Sequence, residues 1–586
     1  MPEDPPSLPP RGDIRGHYNA GHLKQRVGFD SPGRLLSVDS RRVPLHRFGV
    51  VVVGGGVAGA SAAVSAADAG IEVALLVKSA LEESNTVYAQ GGVAAVLGPD
   101  DSLPAHIEDT LAVGCGLSER DAVESIVSAG PAAIAALEKR GMRWDRLEDG
   151  RLDLSREGGH RHPRVVHARG DATGRELQVT LSNAVRSHPR ITVFQDSFVI
   201  DLLCAHEGRV VGALVRTARG DLAVFSGGAV VLATGGAGQL YRETTNPAIA
   251  TGDGVAIGFR AGALARDLEF FQFHPTLLYI AGAARVLISE IVRGAGGVLR
   301  DRSGERFMAH VPGAELAPRD VVSRAIFERM VATQDTSVYL DLSRVEGDPH
   351  TLFPGISRVC RYFGIDIARD PVPVRPGAHY MIGGLATDLE GRTSVEGLWA
   401  VGECASTGIH GANRMGSNSL LEGLVIGERA GRSAAEAALG KGIQDWRLRP
   451  PRAMAEAPDG MRVNIHDVTY SLKSLMWRHM GIERTHAQIE DALQKIRLWT
   501  RAVSELGVPE PATWELLNML TVAHLATLGA LARAESRGVH YRIDHPSSKE
   551  PWRAHTCLEP VFEEGHIAEV VLRREPMESA VHLAGA

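Results

Sequence analysis

The sequence predicts an α/β fold: a doubly wound parallel sheet, interrupted by an inserted domain and followed by a helical C-terminal part. Three observations carry this prediction. Phe48-Gly-Val-Val-Val-Val-Gly-Gly-Gly-Val-Ala-Gly59 is an apolar run entering a glycine turn, and Gly228–Gly236 and Gly397–Glu403 repeat that form. Small-residue stretches of helical length lie between such runs, as in α/β domains. The texture then changes twice, becoming aromatic and glycine-rich at about 268 and helical at about 446.

Residues 1–45 carry Pro2, Pro5, Pro6, Pro9 and Pro10 among charges and lack the apolar core of a secretory signal. A flexible or surface-draped extension is expected there. Arg11, Arg15, Arg41 and Arg42 fit a transit peptide, but Glu3, Asp4 and Asp13 speak against one.

The first part of the nucleotide-binding domain is expected over 46–267. Gly54, Gly56 and Gly59 stand in G-x-G-x-x-G spacing. The first allows the tight turn, the second lets backbone approach a pyrophosphate, and the third allows close helix–strand packing. Val57 and Ala58 open a helix, continued by Ala60–Ala69, whose free N–H groups and positive dipole end suit phosphates. Ile71–Val77 follows as the second strand, and this strand–turn–helix–strand context turns a weak glycine pattern into a dinucleotide site. That strand ends at Lys78, where nicotinamide folds place an acid for the ribose. The cofactor must therefore be argued from other residues. Ser84, Asn85, Thr86, Ala89, Gln90, Gly91 and Gly92 form a polar, glycine-rich segment able to wrap a ring system. Ile191–Phe194, Arg209–Val215 and Ala223–Phe225 read as antiparallel strands inserted in the domain. Gly228–Gly236 returns as a buried strand with Ala233, Thr234 and Gly235 at its turn.

The inserted domain is expected over 268–380, with Phe270, Phe271 and Phe273 at its start and a helix through Val321–Val331. The nucleotide-binding domain resumes over 381–445. There Glu403 ends a strand, suited to a ribityl hydroxyl or to a helix start. From 446 to 586 helical periodicity at Tyr470–Met480, Thr485–Leu506 and Thr513–Ser536, joined by short loops, favours antiparallel helices.

Composition narrows the function classes. The 586 residues, 44% hydrophobic and 23% charged, have room for several globular domains. A net charge of -7 without long basic runs gives no support for nucleic-acid or membrane-surface binding. Cys115, Cys204, Cys360, Cys404 and Cys557 are an odd, scattered set without metal-type spacing. They argue against a disulfide framework and a metal site and fit a reducing cytosol, so a cytoplasmic protein is expected. No charge-free apolar stretch long enough for a transmembrane helix is expected either.

Six ordered runs then identify a relationship: Arg156–His162, His167–Arg175, Gln272–Thr276, Glu315–Asp320, Ala378–Gly384 and His410–Glu422. Together they resemble the succinate dehydrogenase/fumarate reductase flavoprotein family, over about residues 48–545. The resemblance implies a Rossmann-like FAD-binding domain, an inserted α+β capping domain and a C-terminal helical bundle. It adds Asp253, Asn418, Ser419 and Leu420 to the cofactor contacts. Members that bind FAD covalently do so through a histidine in Ser-His-Thr-Val; here Asn85 stands at that place and has no ring nitrogen to alkylate. Non-covalent FAD is therefore expected.

Within the family the chain is most similar to the branch that oxidises L-aspartate. His274, His379 and Arg414 resemble its carboxylate ligands, Gln272, Ser289 and Glu290 its polar contacts near substrate and flavin, and Arg319 its proton-transfer arginine. Glu157 resembles the residue set against the substrate ammonium. Taken singly, each has a plain structural alternative: a core histidine, a helix-capping or ion-paired arginine, a solvated loop carboxylate. The implied reaction is two-electron oxidation of L-aspartate to iminoaspartate, with oxygen or fumarate as final oxidant. That is the first step of de novo NAD synthesis, ahead of a quinolinate synthase. A soluble fumarate reductase or succinate dehydrogenase-type flavoprotein shares the carboxylate clamp, but Asn85 and Glu157 speak against it. A flavin-binding protein without catalytic duty is the remote alternative. Two departures from the pattern are Ser289 for threonine and Ala295 for the glutamate of Arg-Gly-Glu-Gly; the second is expected to remove a carboxylate near the substrate.

Overall fold

The computed structural model describes residues 24–577 except 31–34, 37–42, 206, 281–285, 440–462, 507 and 564–565. Val50–Val53 is four consecutive buried valines, the composition of a strand covered on both faces. It sits in the middle of a five-stranded parallel sheet, ordered Leu398–Ala400, Ala229–Leu232, Val50–Val53, Val73–Leu76 and Ile191–Phe194. The strand order reverses beside Val50–Val53, and the crevice beyond its carboxyl end is where such sheets bind ligands. The Val57–Asp68 helix covers one face and meets Asn418–Leu439 almost backbone to backbone. A Cβ on Gly427 would fall 2.5 Å from Ala58 O, and one on Gly431 2.2 Å from Ala62 O.

Ile191–Phe194 corrects one expectation. It runs parallel to Val73–Leu76, because the Thr173–Ser187 helix returns the chain to the same edge in a right-sized crossover. The antiparallel insertion does form, from Val210–Arg216 and Leu222–Ser226 with Phe198–Cys204, a strand the sequence reading did not single out.

The inserted segment builds its own four-stranded antiparallel sheet from Phe271–Leu278, Val372–Met381, Val338–Asp341 and Val298–Arg300. The Arg319–Thr333 helix packs on it, and Leu278, Val322, Ile326, Leu340 and Val372 form its separate core. The two long strands carry Gln272, His274 and His379 toward the crevice of the parallel sheet.

Three helices follow at Ile465–His479, His486–Leu506 and Pro511–Ala532. Contrary to expectation, the last is long and apolar enough to cross a membrane, being free of charge after Glu515. It is instead largely buried inside the protein, as a core helix is. Past it, the described residues turn from helix to sheet: Ala554–Glu563 and His566–Pro576 form a hairpin within a six-stranded sheet. Lys24–Gly28 adds an antiparallel edge strand to that hairpin. Phe29 then stacks on His524 at 4.3 Å, and Asp30 pairs with Arg497 at 2.6 Å and Arg501 at 2.9 Å. The described end of the N-terminal extension is thus docked rather than flexible; residues 1–23 and the boundary near 446 lie outside the described residues.

Candidate active site

A cavity runs from the glycine turn, past the Ser84–Gly92 segment, to the sheet of the inserted domain. All but two of the residues expected at the cofactor line it. Gly59 does not, because it packs: a Cβ there would lie 2.0 Å from Gly54 O. Asn418 is a correction. It faces the Leu103–Val113 helix, where its Oδ1 meets His106 Nε2 at 2.9 Å and its Nδ2 donates to Thr110 Oγ1 at 3.1 Å. Being first in its own helix, it turns from the cavity while Ser419 and Leu420 line it.

The residues present fit a flavin dinucleotide. Gly56 leaves the backbone bare beside the helix N-terminus, with Thr86 Oγ1 3.3 Å from where a Cβ would stand. Asn85 Oδ1 and Gln90 Oε1 are buried acceptors without a partner among the described residues, both beside the cavity. Asn85 Nδ2 donates to Glu403 Oε2 at 2.9 Å, and Met381 N–H donates to Glu403 Oε1 at 2.9 Å. Burial pushes this carboxyl above its ordinary pKa despite those donors.

At the other end of the cavity two arginines meet on one amide. Gln272 Oε1 accepts from Arg414 Nε and Nη2, both at 3.2 Å, and from Arg319 Nη1 at 3.4 Å. Gln272 is fully buried behind them, so it positions both guanidiniums rather than lining the cavity. Arg414 also donates to Ser419 Oγ at 2.6 Å and lies 4.4 Å over the Tyr380 ring. Arg319 opens its helix and donates through Nε to Glu290 Oε2 at 2.8 Å. Glu290 Oε1 receives Gly158 N–H at 3.0 Å, and Arg293 stands 3.7 Å away. Burial raises the Glu290 carboxyl, but Arg319 and Arg293 outweigh it and hold it at about 2. Ser289 caps the same short helix and lines the cavity.

Glu157 faces Arg319 Nη2 across 4.0 Å and accepts from Ser417 Oγ at 2.9 Å. Burial, opposed by Arg319 and reinforced by Glu290, pushes its pKa up. The histidines correct a simple picture of cations at both ends. Burial, then the nearby arginines, drive both His274 and His379 well below the ordinary imidazole value, so both are neutral. Thr276 N–H donates to His274 Nδ1 at 3.2 Å, which leaves the ring hydrogen on Nε2 as a donor. His379 Nδ1 pairs with Thr245 Oγ1 at 2.9 Å, and the two rings meet edge to face at 5.1 Å. Positive charge therefore comes from guanidiniums alone: Arg319, Arg414 and Arg293 against Glu157 and Glu290.

Three features escaped the sequence reading. Ser417, inside the His410–Glu422 run, holds φ of 63° and touches both Glu157 and Gly92 N–H. Tyr380 supports Arg414 and shares its hydroxyl with His410 and Glu422. Arg164 is fully buried against Asp101 and Asp109 and donates to His160 Nδ1 at 3.3 Å, while His160 Nε2 donates to Gly416 O at 3.1 Å, which braces the Glu157 loop. No local pattern announces pairs 55 and 63 residues apart. Ala295 lies exposed after the Glu290–Gly294 helix and outside the cavity lining, so the missing carboxylate is not at the substrate side.

Because Arg414 offers a planar fork, Arg414→Lys is expected to cost about 100-fold in kcat/KM, mostly in KM, by steady-state kinetics. An equal KM would show that the fork does not touch substrate.

Fold and site together define a flavin-dependent oxidoreductase that acts on dicarboxylates. Residues 49–420 match the FAD binding domain family and 469–581 the fumarate reductase flavoprotein C-terminal family. The chain is 40% identical to an L-aspartate oxidase of Synechocystis sp., covering 88% of this chain and 97% of that one. It is 42% identical to that of Streptomyces coelicolor, covering 91% and 93%. Among solved structures, an E. coli quinol fumarate reductase flavoprotein superimposes with a TM-score of 0.83 at 32% identity, covering 93% of this chain and 99% of that one. Sdh1 of Mycobacterium smegmatis gives 0.79 at 31% identity, covering 91% and 95%. The chain belongs to the L-aspartate oxidase family of FAD-binding flavoproteins.

Proposed function

We propose that this chain oxidises L-aspartate to iminoaspartate and returns to its oxidised state with oxygen or fumarate. Glu157 carries the reading. A buried carboxylate in a chamber of guanidiniums and neutral donors serves an ammonium group, whereas a site for succinate or fumarate alone gains nothing from it. FAD, held non-covalently beside Asn85, supplies when bound the two-electron acceptor.

Arg414, fixed by Gln272 and Ser419, keeps one N–H on each Nη free for a substrate carboxylate. His274 and His379 offer neutral donors to a carboxylate from the facing strands. Glu157, steadied by Ser417, sets the amine. Holding all three groups makes the reaction an oriented one, worth several kcal/mol of barrier. An arginine side chain is normally fully protonated, so moving a proton at the Arg319 guanidinium needs a relay. Its Nε contact with ionised Glu290 provides one. The imine is hydrolytically unstable, so an enzyme that consumes it promptly is needed, and a quinolinate synthase in NAD synthesis is the successor this reading expects. Five free thiols suit the cytoplasm, where we place the protein.

In air, L-aspartate is expected to drive hydrogen peroxide formation and succinate is not; the reverse outcome would defeat the reading. The pH profile follows from Glu157. It must be ionised to hold an ammonium, and burial pushes its pKa above the ordinary carboxylate value. The kcat/KM for L-aspartate will therefore fall as pH drops through an acid limb displaced above that value, because this ratio reports the free enzyme. A limb at an ordinary carboxylate value would assign it to another group.

A further inference from the structure

Lys78 occupies the strand end where a dinucleotide fold usually sets an acid for the adenosine ribose. In space, carboxylates reach that point from elsewhere. Lys78 Nζ lies 2.8 Å from Asp253 Oδ2 and 2.6 Å from Glu515 Oε1, and donates to Thr251 Oγ1 at 2.7 Å. Glu515 belongs to the Pro511–Ala532 helix. Asn518, nearly one turn along it, donates to Asp253 Oδ1 at 2.8 Å, and its own Oδ1 accepts from Arg260 Nη1 at 2.8 Å. Lys78 and Asp253 line the cavity, while Glu515 and Asn518 stand behind them. Two carboxylates thus face one ammonium. Asp253, the carboxylate on the cavity wall, suits ribose hydroxyls as further donors and repels an added phosphate.

We propose that Glu515, with Asn518, is a positioning residue of the FAD site: from the C-terminal helix it fixes Lys78 and Asp253 against the adenosine ribose. The inference rests on the cavity being the FAD site. Lys78 is 21% exposed, so with one carboxylate removed its flexible stem is free to swing toward solvent. By linkage, cofactor retention and docking of the C-terminal helix then support each other equally.

The test uses the full-length holoprotein and its Glu515→Gln and Glu515→Ala variants. Release of FAD is followed by flavin fluorescence, with ADP and FMN as competitors for the two halves of the site. Loss of a charge-assisted contact acting through Lys78 is expected to weaken FAD about threefold in Glu515→Gln and about tenfold in Glu515→Ala. ADP should weaken by the same factor and FMN by less than about twofold. In a Lys78→Met background Glu515→Gln should add nothing, since the two act as one unit. Unchanged FAD release would overturn the proposal, and so would equal weakening of ADP and FMN or an undiminished effect without Lys78. Should Glu515→Ala not fold, Glu515→Gln decides. A wild-type protein that holds no flavin would instead remove the cofactor reading itself.

Discussion

Arg319→Leu is expected to keep FAD and to lose turnover by about 10³–10⁴-fold, in L-aspartate oxidation and in fumarate reduction alike. The guanidinium stands between Glu157 and Glu290 and shares Gln272 with Arg414. Its removal leaves two buried carboxylates without their common counter-charge. A side chain positioned for proton transfer contributes about 10²–10⁴ in rate. The upper part of that range applies because the same group is also the counter-charge of those carboxylates. FAD contacts lie elsewhere in the cavity, so the yellow colour is the control for folding. Stopped-flow flavin reduction measures the loss directly, and unchanged turnover with FAD retained would take Arg319 out of the mechanism.

Glu157→Gln is expected to separate the two substrates. Glutamine keeps the shape and a hydrogen-bonding oxygen but not the charge that faces an ammonium. Losing a buried charge–charge contact of that kind costs about 2–5 kcal/mol, so kcat/KM for L-aspartate should fall about 10²–10³-fold. Fumarate, without an amine, should be reduced within a few-fold of the unaltered protein. The acid limb of the pH profile should vanish in the same variant. If both substrates lose equally, Glu157 is a structural partner of Arg319 and Ser417, and amine recognition lies elsewhere.

How much of this was legible beforehand varies by kind of feature. Four valines before a glycine turn can only be a strand covered on both faces, and the parallel sheet followed from that. Arg319, Arg414, His274, His379, Glu157 and Glu290 do gather at one end of a single cavity, as their family order implied. What sequence could not show depends on partners far along the chain. The direction of Ile191–Phe194 is set by the helix before it, not by four residues of composition. The neutrality of the histidines comes from burial among arginines, and the tautomer of His274 from Thr276 N–H. Asn418 points away because it opens a helix whose next residues point in. Lys24–Gly28 is too short and polar to announce a strand whose partner is His566–Pro576.

The most direct measurement is anaerobic mixing of the purified yellow protein with L-aspartate, followed by fumarate, with absorbance near the flavin maximum as the signal. One dicarboxylate clamp with an acidic amine contact predicts bleaching by L-aspartate, no bleaching by succinate, and return of colour when fumarate is added without air. Colour that persists with L-aspartate but bleaches with succinate would contradict it.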